Sequence, residues 1–135
     1  MWRRRARDSA MIRGVGVDII EIGRIRRSIE ESGERFLEKI FTAGEIAYCK
    51  SKQDMFQHFA ARFAAKEAMS KAISTGWIKT FRWKDVEVMN DRSGQPRIAL
   101  HGMLRESLTA SSIHVSMSHS ESHAVAMVLI EEKSA

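Results

Sequence analysis

RFAAKEAMSKA, Arg62 to Ala72, has helical spacing almost without a break, yet it sets a glutamate among core positions. At about 100° per residue, Phe56, Ala60, Phe63 and Glu67 fall on one narrow stripe, with Lys66 off to one side. A carboxylate on an apolar stripe costs free energy unless something pairs with it. Lys71, four residues on, offers one such partner, since Glu-to-Lys pairs at this spacing commonly decorate solvated helix faces. The phenylalanines above Glu67 on the same face argue against a solvated one.

Around this stretch the spacing predicts a long helix from about Asp54 to Ser74, ended by Gly76. Before it, MIRGVGVDII alternates as a buried strand does, with Val15, Val17 and Ile19 on one face and Gly14, Gly16 and Asp18 on the other. EIGRIRRSIEES switches to helical spacing, with Ile22, Ile25 and Ile29 inward, Arg24, Arg27 and Glu31 outward, and a stop at Gly33. Thr42 and Glu45 form a capping box for a short helix through about Cys49.

After the long helix, Lys84 to Met89 and Pro96 to Leu100 read as strands joined by the turn-rich NDRSGQ. GMLRESLTAS gives another short helix, and IHVSMSH and HAVAMVLIE form a second hairpin about a tight SES turn. With no repeat or linker, the expected class is α+β: a small, mainly antiparallel sheet packed on one long helix. Residues 11–135 form the single expected domain. The arginine-rich MWRRRARDSA, residues 1–10, is expected to be a disordered arm or a misassigned start, because it has nothing to bury.

The chain of 135 residues carries a net charge of +5, of which +3 lies in those first ten residues. The nearly balanced remainder, with 7% aromatic residues and no interleaved arginine–aromatic platform, weighs against nucleic-acid binding. No apolar run approaches the roughly 20 residues of a membrane span, and no signal-peptide core follows the arginines. One cysteine, Cys49, excludes an intrachain disulfide and a cysteine zinc site. A cytoplasmic protein without a membrane or nucleic-acid partner is expected.

Asp18 is a second carboxylate in an apolar setting. It could serve as N-cap or first-turn acid for the following helix. Taken with Glu67, it suggests a hard cation such as Mg²⁺, which takes one or two carboxylates and completes its shell with water and substrate phosphates. Lys66 and Lys71 are then candidates to contact a metal-held diphosphate, unless they are ordinary solvated helix charges. GVG at 14–16 lacks the third glycine of a dinucleotide fingerprint, so close backbone packing explains it better. His119 and His123 lie in a hairpin turn that does not align them for zinc; His119 stays of interest at the mouth of the strand pair.

Three of these segments, GVGVDIIEIGRI, RFAAKEAMSKAISTG and HVSMSHSESHAVAMVLIE, closely resemble the holo-[acyl-carrier-protein] synthases, the small bacterial 4′-phosphopantetheinyl transferases. The resemblance runs from Met11 to about Glu132, in order. It implies the 4′-phosphopantetheinyl transferase fold and a Mg²⁺-dependent transfer of 4′-phosphopantetheine from coenzyme A to a serine of apo acyl carrier protein. Adenosine 3′,5′-bisphosphate would be released, in support of fatty acid biosynthesis. It further implies metal ligation by Asp18 and Glu67, coenzyme phosphate contacts from Lys66 and Lys71, and His119 in the segment lining the coenzyme pocket. A homotrimer with sites at subunit interfaces is the assembly it implies. Glu67, a metal-bound water or His119 could take the serine proton. Arg24, Arg27 and Arg35, outside the isoleucine stripe, are the expected docking face for the acidic carrier.

Overall fold

The computed structural model describes residues 10–73 and 81–133. The basic segment before Ala10 and the expected helix stop at Gly76 lie outside them. Strand β1 (Ala10–Glu21) leads into helix α1 (Ile22–Ile40), followed by α2 (Ala43–Lys50) and the long α3 (Met55–Ala72). A 3-10 turn at Trp83–Asp85 precedes the hairpin of β2 (Val86–Asn90) and β3 (Pro96–Leu100). Helix α4 (Gly102–Ser107) and the hairpin of β4 (Ser111–His119) and β5 (His123–Lys133) complete the order. The α+β class, the capping box and both hairpins agree with the sequence expectation. Gly33 does interrupt α1, with φ 51°, but helix resumes beyond it to Ile40.

Strands β1, β5 and β4 form an antiparallel sheet in that spatial order, and α3 packs across one face of it. The alternation of β1 leaves open which of its faces meets the helix. Val15, Val17 and Ile19 point away from α3 and are exposed, at 55%, 57% and 65%. Gly14 and Gly16 face the helix instead. A Cβ on Gly14 would come within 2.0 Å of the Ala72 carbonyl oxygen, and one on Gly16 within 1.8 Å of that of Ala68. Backbone packs on backbone here, which only glycine opposite an alanine-rich helix permits.

Helix α3 has scarcely any solvated side. Besides the sheet it meets α1, α2 and β2, and Ala60, Ala61, Ala64, Ala65, Ala68 and Met69 are all buried. Buried with them are two cationic residues, Arg62 and Lys66. The aromatic side chains Phe36, Phe63 and Trp83 stack in series beside it, with centroids 6.5 Å and 5.4 Å apart.

Candidate active site

Asp18 follows Gly14 and Gly16 on the inward face of β1, opposite the small Ala126 of β5. The glycines seat β1 directly on α3, and this close approach brings Asp18 to the level of Glu67. Helix α1 has Glu21 as its N-cap, so Asp18 does not cap it. Asp18 and Glu67 line one cavity of about 300 Å³, walled by Phe36 and Phe63, with Arg24 and Ser28 contributed by α1. Burial raises the proton affinity of Glu67; the neighbouring Asp18 charge raises it further, and Lys71 opposes both. The two carboxylates thus feel each other, and forcing both to be charged costs free energy that a cation between them would recover.

Lys71 stands at this site. Its ammonium donates to Asp18 Oδ1 and to the Val17 carbonyl, each at 3.1 Å. The Asp18 side chain is 17% exposed and that of Lys71 54%. The position therefore already attracts a cation. Among the described residues no three His, Cys, Asp or Glu side chains converge as a metal cluster. A two-carboxylate site with hard oxygen donors suits a cation that fills its remaining positions with water and phosphate, as Mg²⁺ does.

Lys66 is not part of this site, contrary to the sequence expectation. Its side chain is fully buried on another side of α3 and pairs with Glu45 Oε1 at 2.8 Å. It also donates to the carbonyls of Trp83, at 2.9 Å, and Val86. Burial lowers its proton affinity, and Glu45 works against that. Glu45 in turn accepts from the Thr42 and Val88 amides, both at 2.9 Å, so one carboxylate caps α2, fixes β2 and neutralises Lys66. Sequence reading found only the first of these roles. The missed signal was the alanine run around Lys66, which leaves that part of α3 little polar surface.

His119 also lies apart. Its Nδ1 contacts the Gln57 amide at the start of α3, ten residues or about 15 Å along the helix axis from Glu67. It borders a separate cavity of about 720 Å³ with Arg26, Phe56 and Glu121. A single chain does not bring His119 to the carboxylates. Arg24, Arg27 and Arg35 are exposed on α1, and of the three only Arg24 lines the carboxylate cavity. Cys49 is no nucleophile, since burial pushes its thiol up to about 12.

Known proteins are similar to this chain in sequence and fold. A holo-[acyl-carrier-protein] synthase of Solibacter usitatus is 48% identical over 124 residues, covering 90% of this chain and 99% of its own. One from Koribacter versatilis is 46% identical over 125 residues, covering 90% of this chain and all of its own. The crystal structure of the Bacillus anthracis holo-(acyl-carrier-protein) synthase in complex with CoA (3′,5′-ADP) matches with a TM-score of 0.76 and 38% identity, over 91% of this chain and 99% of that one. The Neisseria meningitidis synthase matches at 0.81 and 31%, over 90% and 100%. The family model of the 4′-phosphopantetheinyl transferase superfamily spans residues 14–128, from the glycines that seat β1 on the long helix to the middle of β5. With Asp18 and Glu67 both inside that span, this chain belongs to the 4′-phosphopantetheinyl transferase superfamily.

Proposed function

We propose that this protein transfers 4′-phosphopantetheine from coenzyme A to a serine hydroxyl of apo acyl carrier protein, leaving adenosine 3′,5′-bisphosphate. The observation that carries the reading is the pair Asp18 and Glu67 facing one cavity, with a lysine beside them and an arginine on the cavity wall. Asp18 and Glu67 would hold Mg²⁺, which when bound neutralises charge on the coenzyme diphosphate. Lys71 adds a second cation for the phosphates. Phe36 and Phe63 exclude water from one side of the cavity. A carboxylate oxygen of Glu67 would take the serine proton as the serine oxygen bonds to the β-phosphorus and the bridging P–O bond to the departing adenosine 3′,5′-bisphosphate breaks.

The carrier would dock on α1, where Arg24, Arg27 and Arg35 project outward. Acyl carrier protein should be modified when incubated with coenzyme A and Mg²⁺, as a mass gain of one phosphopantetheine group. Arg27, exposed and away from the cavity, gives the docking test: Arg27→Glu should raise KM for the carrier and spare KM for coenzyme A. Absence of any adduct across several apo carriers would end the transferase reading. Unchanged constants for both substrates at low salt would move the docking face elsewhere.

A homotrimer accounts for the outward face of the sheet. Val15, Val17 and Ile19 stand in register beside Leu129, Met127 and Val125 of β5, an apolar patch that a monomer would leave in water. Beyond them His114, Ser116 and Ser118 of β4 continue the same face. Its burial between subunits would also let a neighbouring protomer supply the His119 region to the carboxylate cavity. Val17→Glu should dissociate the assembly in sedimentation velocity; an unchanged sedimentation coefficient would remove this face from the interface. No helix among the described residues is long and apolar enough to cross a membrane. With a single cysteine that needs no oxidising compartment, we place the enzyme in the cytoplasm.

A further inference from the structure

Two carboxylates share the cavity between β1 and α3, and an ammonium from the helix that carries Glu67 bonds to one of them, Asp18. We propose that Lys71 is a displaceable counter-cation of the Asp18–Glu67 pair, holding Asp18 in the metal-free protein and giving it up when a divalent cation binds. The inference rests on the reading above that these two carboxylates hold such a cation. Its ground is geometric. Lys71 Nζ lies 3.1 Å from Asp18 Oδ1 and 3.1 Å from the Val17 carbonyl, so it occupies one of the two Asp18 oxygens open to a cation.

The side chain also reaches solvent. Lys71 is 54% exposed against 17% for Asp18, on a four-carbon stem that can swing its charge toward solvent or a phosphate without moving the helix. Lys66, five residues earlier, is instead held in the core by Glu45 and two carbonyls. The electrostatics agree: Asp18 raises the proton affinity of Glu67 and Lys71 lowers it, so removing Lys71 leaves the carboxylates to repel each other. Metal binding and lysine binding at Asp18 are therefore competitive, and the cost of releasing the ammonium weakens the apparent metal affinity.

Two measurements on the purified full chain without coenzyme A test this. The first is Mn²⁺ affinity, read from the EPR signal of the free ion, for the parent, Lys71→Met, Lys71→Arg and Glu67→Gln. Lys71→Met should bind Mn²⁺ about three- to tenfold more tightly than the parent, the range expected for losing one partly screened cation near a divalent ion. Lys71→Arg should stay near the parent, and Glu67→Gln should bind far more weakly. The second is thermal melting: Lys71→Met should melt below the parent in EDTA, and level with or above it in saturating Mn²⁺. Unchanged or weaker Mn²⁺ binding in Lys71→Met, with binding still lost in Glu67→Gln, overturns the counter-cation role alone. Mn²⁺ binding indifferent to Glu67→Gln, or no saturable binding to the parent, overturns the metal site and this role with it.

Discussion

Glu67→Gln is expected to lower kcat by about three orders of magnitude and leave a folded protein. Metal stabilisation of a transferring phosphoryl group is worth several kcal/mol, and about 4 kcal/mol corresponds to roughly a thousandfold in rate. The amide keeps the shape of the side chain and removes both its charge and its ability to take a proton. Asp18→Asn should behave similarly, because a cation shared by two carboxylates is lost with either. Stability should move the other way. The folded state raises the proton affinity of Glu67, so the protonated form is favoured by folding and the ionised form disfavoured.

It follows that metal-free stability falls as pH rises from the unfolded carboxylate range through the raised folded value. In EDTA at neutral pH, Glu67→Gln should therefore melt at or above the parent, and the difference should close as the pH drops below the ordinary carboxylate range. Single-turnover transfer assays and melting curves over pH give both readings. Near-normal turnover in Glu67→Gln, or parent activity that survives exhaustive chelation, would remove the carboxylate pair from the chemistry.

Lys66→Met should have the largest effect on stability, about 3–5 kcal/mol, because it strands Glu45 as a buried charge without its partner. For a chain of this length that is a loss of roughly 10–20 °C in melting temperature. Adding Glu45→Gln should recover much of it, since the double variant leaves no uncompensated ion. The recovery stays incomplete because Glu45 also receives the Thr42 and Val88 amides. Denaturant melts at fixed protein concentration, with the double variant closing the cycle, measure the coupling. A Lys66→Met protein of parental stability that binds coenzyme A weakly would return Lys66 to the phosphates and refute the buried role.

The contrast between Lys66 and Lys71 shows what periodicity can and cannot say. Both lysines flank Glu67 on one helix, and the sequence gives them equal standing. Lys71 lies near the end of α3, where β1 presents Asp18. Lys66 lies where α2 and β2 close over the helix, and a counter-charge 21 residues earlier in the chain, Glu45, meets it there. Charge on a helical wheel implies exposure only if that side of the helix is wet, and α3 is enclosed on several sides. A similar limit separated His119 from the carboxylates: the motif containing it is plain, but its height along α3 is set by the β4–β5 register.

Local patterns were enough for the order of elements, the α+β class, the capping box at Thr42, the two hairpins and the singling out of Asp18 and Glu67. Each is a short-range matter of residue period, turn chemistry or a carboxylate out of place. The orientation of β1 was decided only in three dimensions. Alternation separates Val15, Val17 and Ile19 from Gly14, Gly16 and Asp18, but it cannot say which set meets the helix. The preference for burying large apolar residues favours the valines. What overrides it is the approach of two backbones: with the Ala68 carbonyl 1.8 Å from where a Gly16 Cβ would sit, only the glycine face fits against α3. That choice turns Asp18 inward to meet Glu67 and leaves the valines on the outside of the sheet.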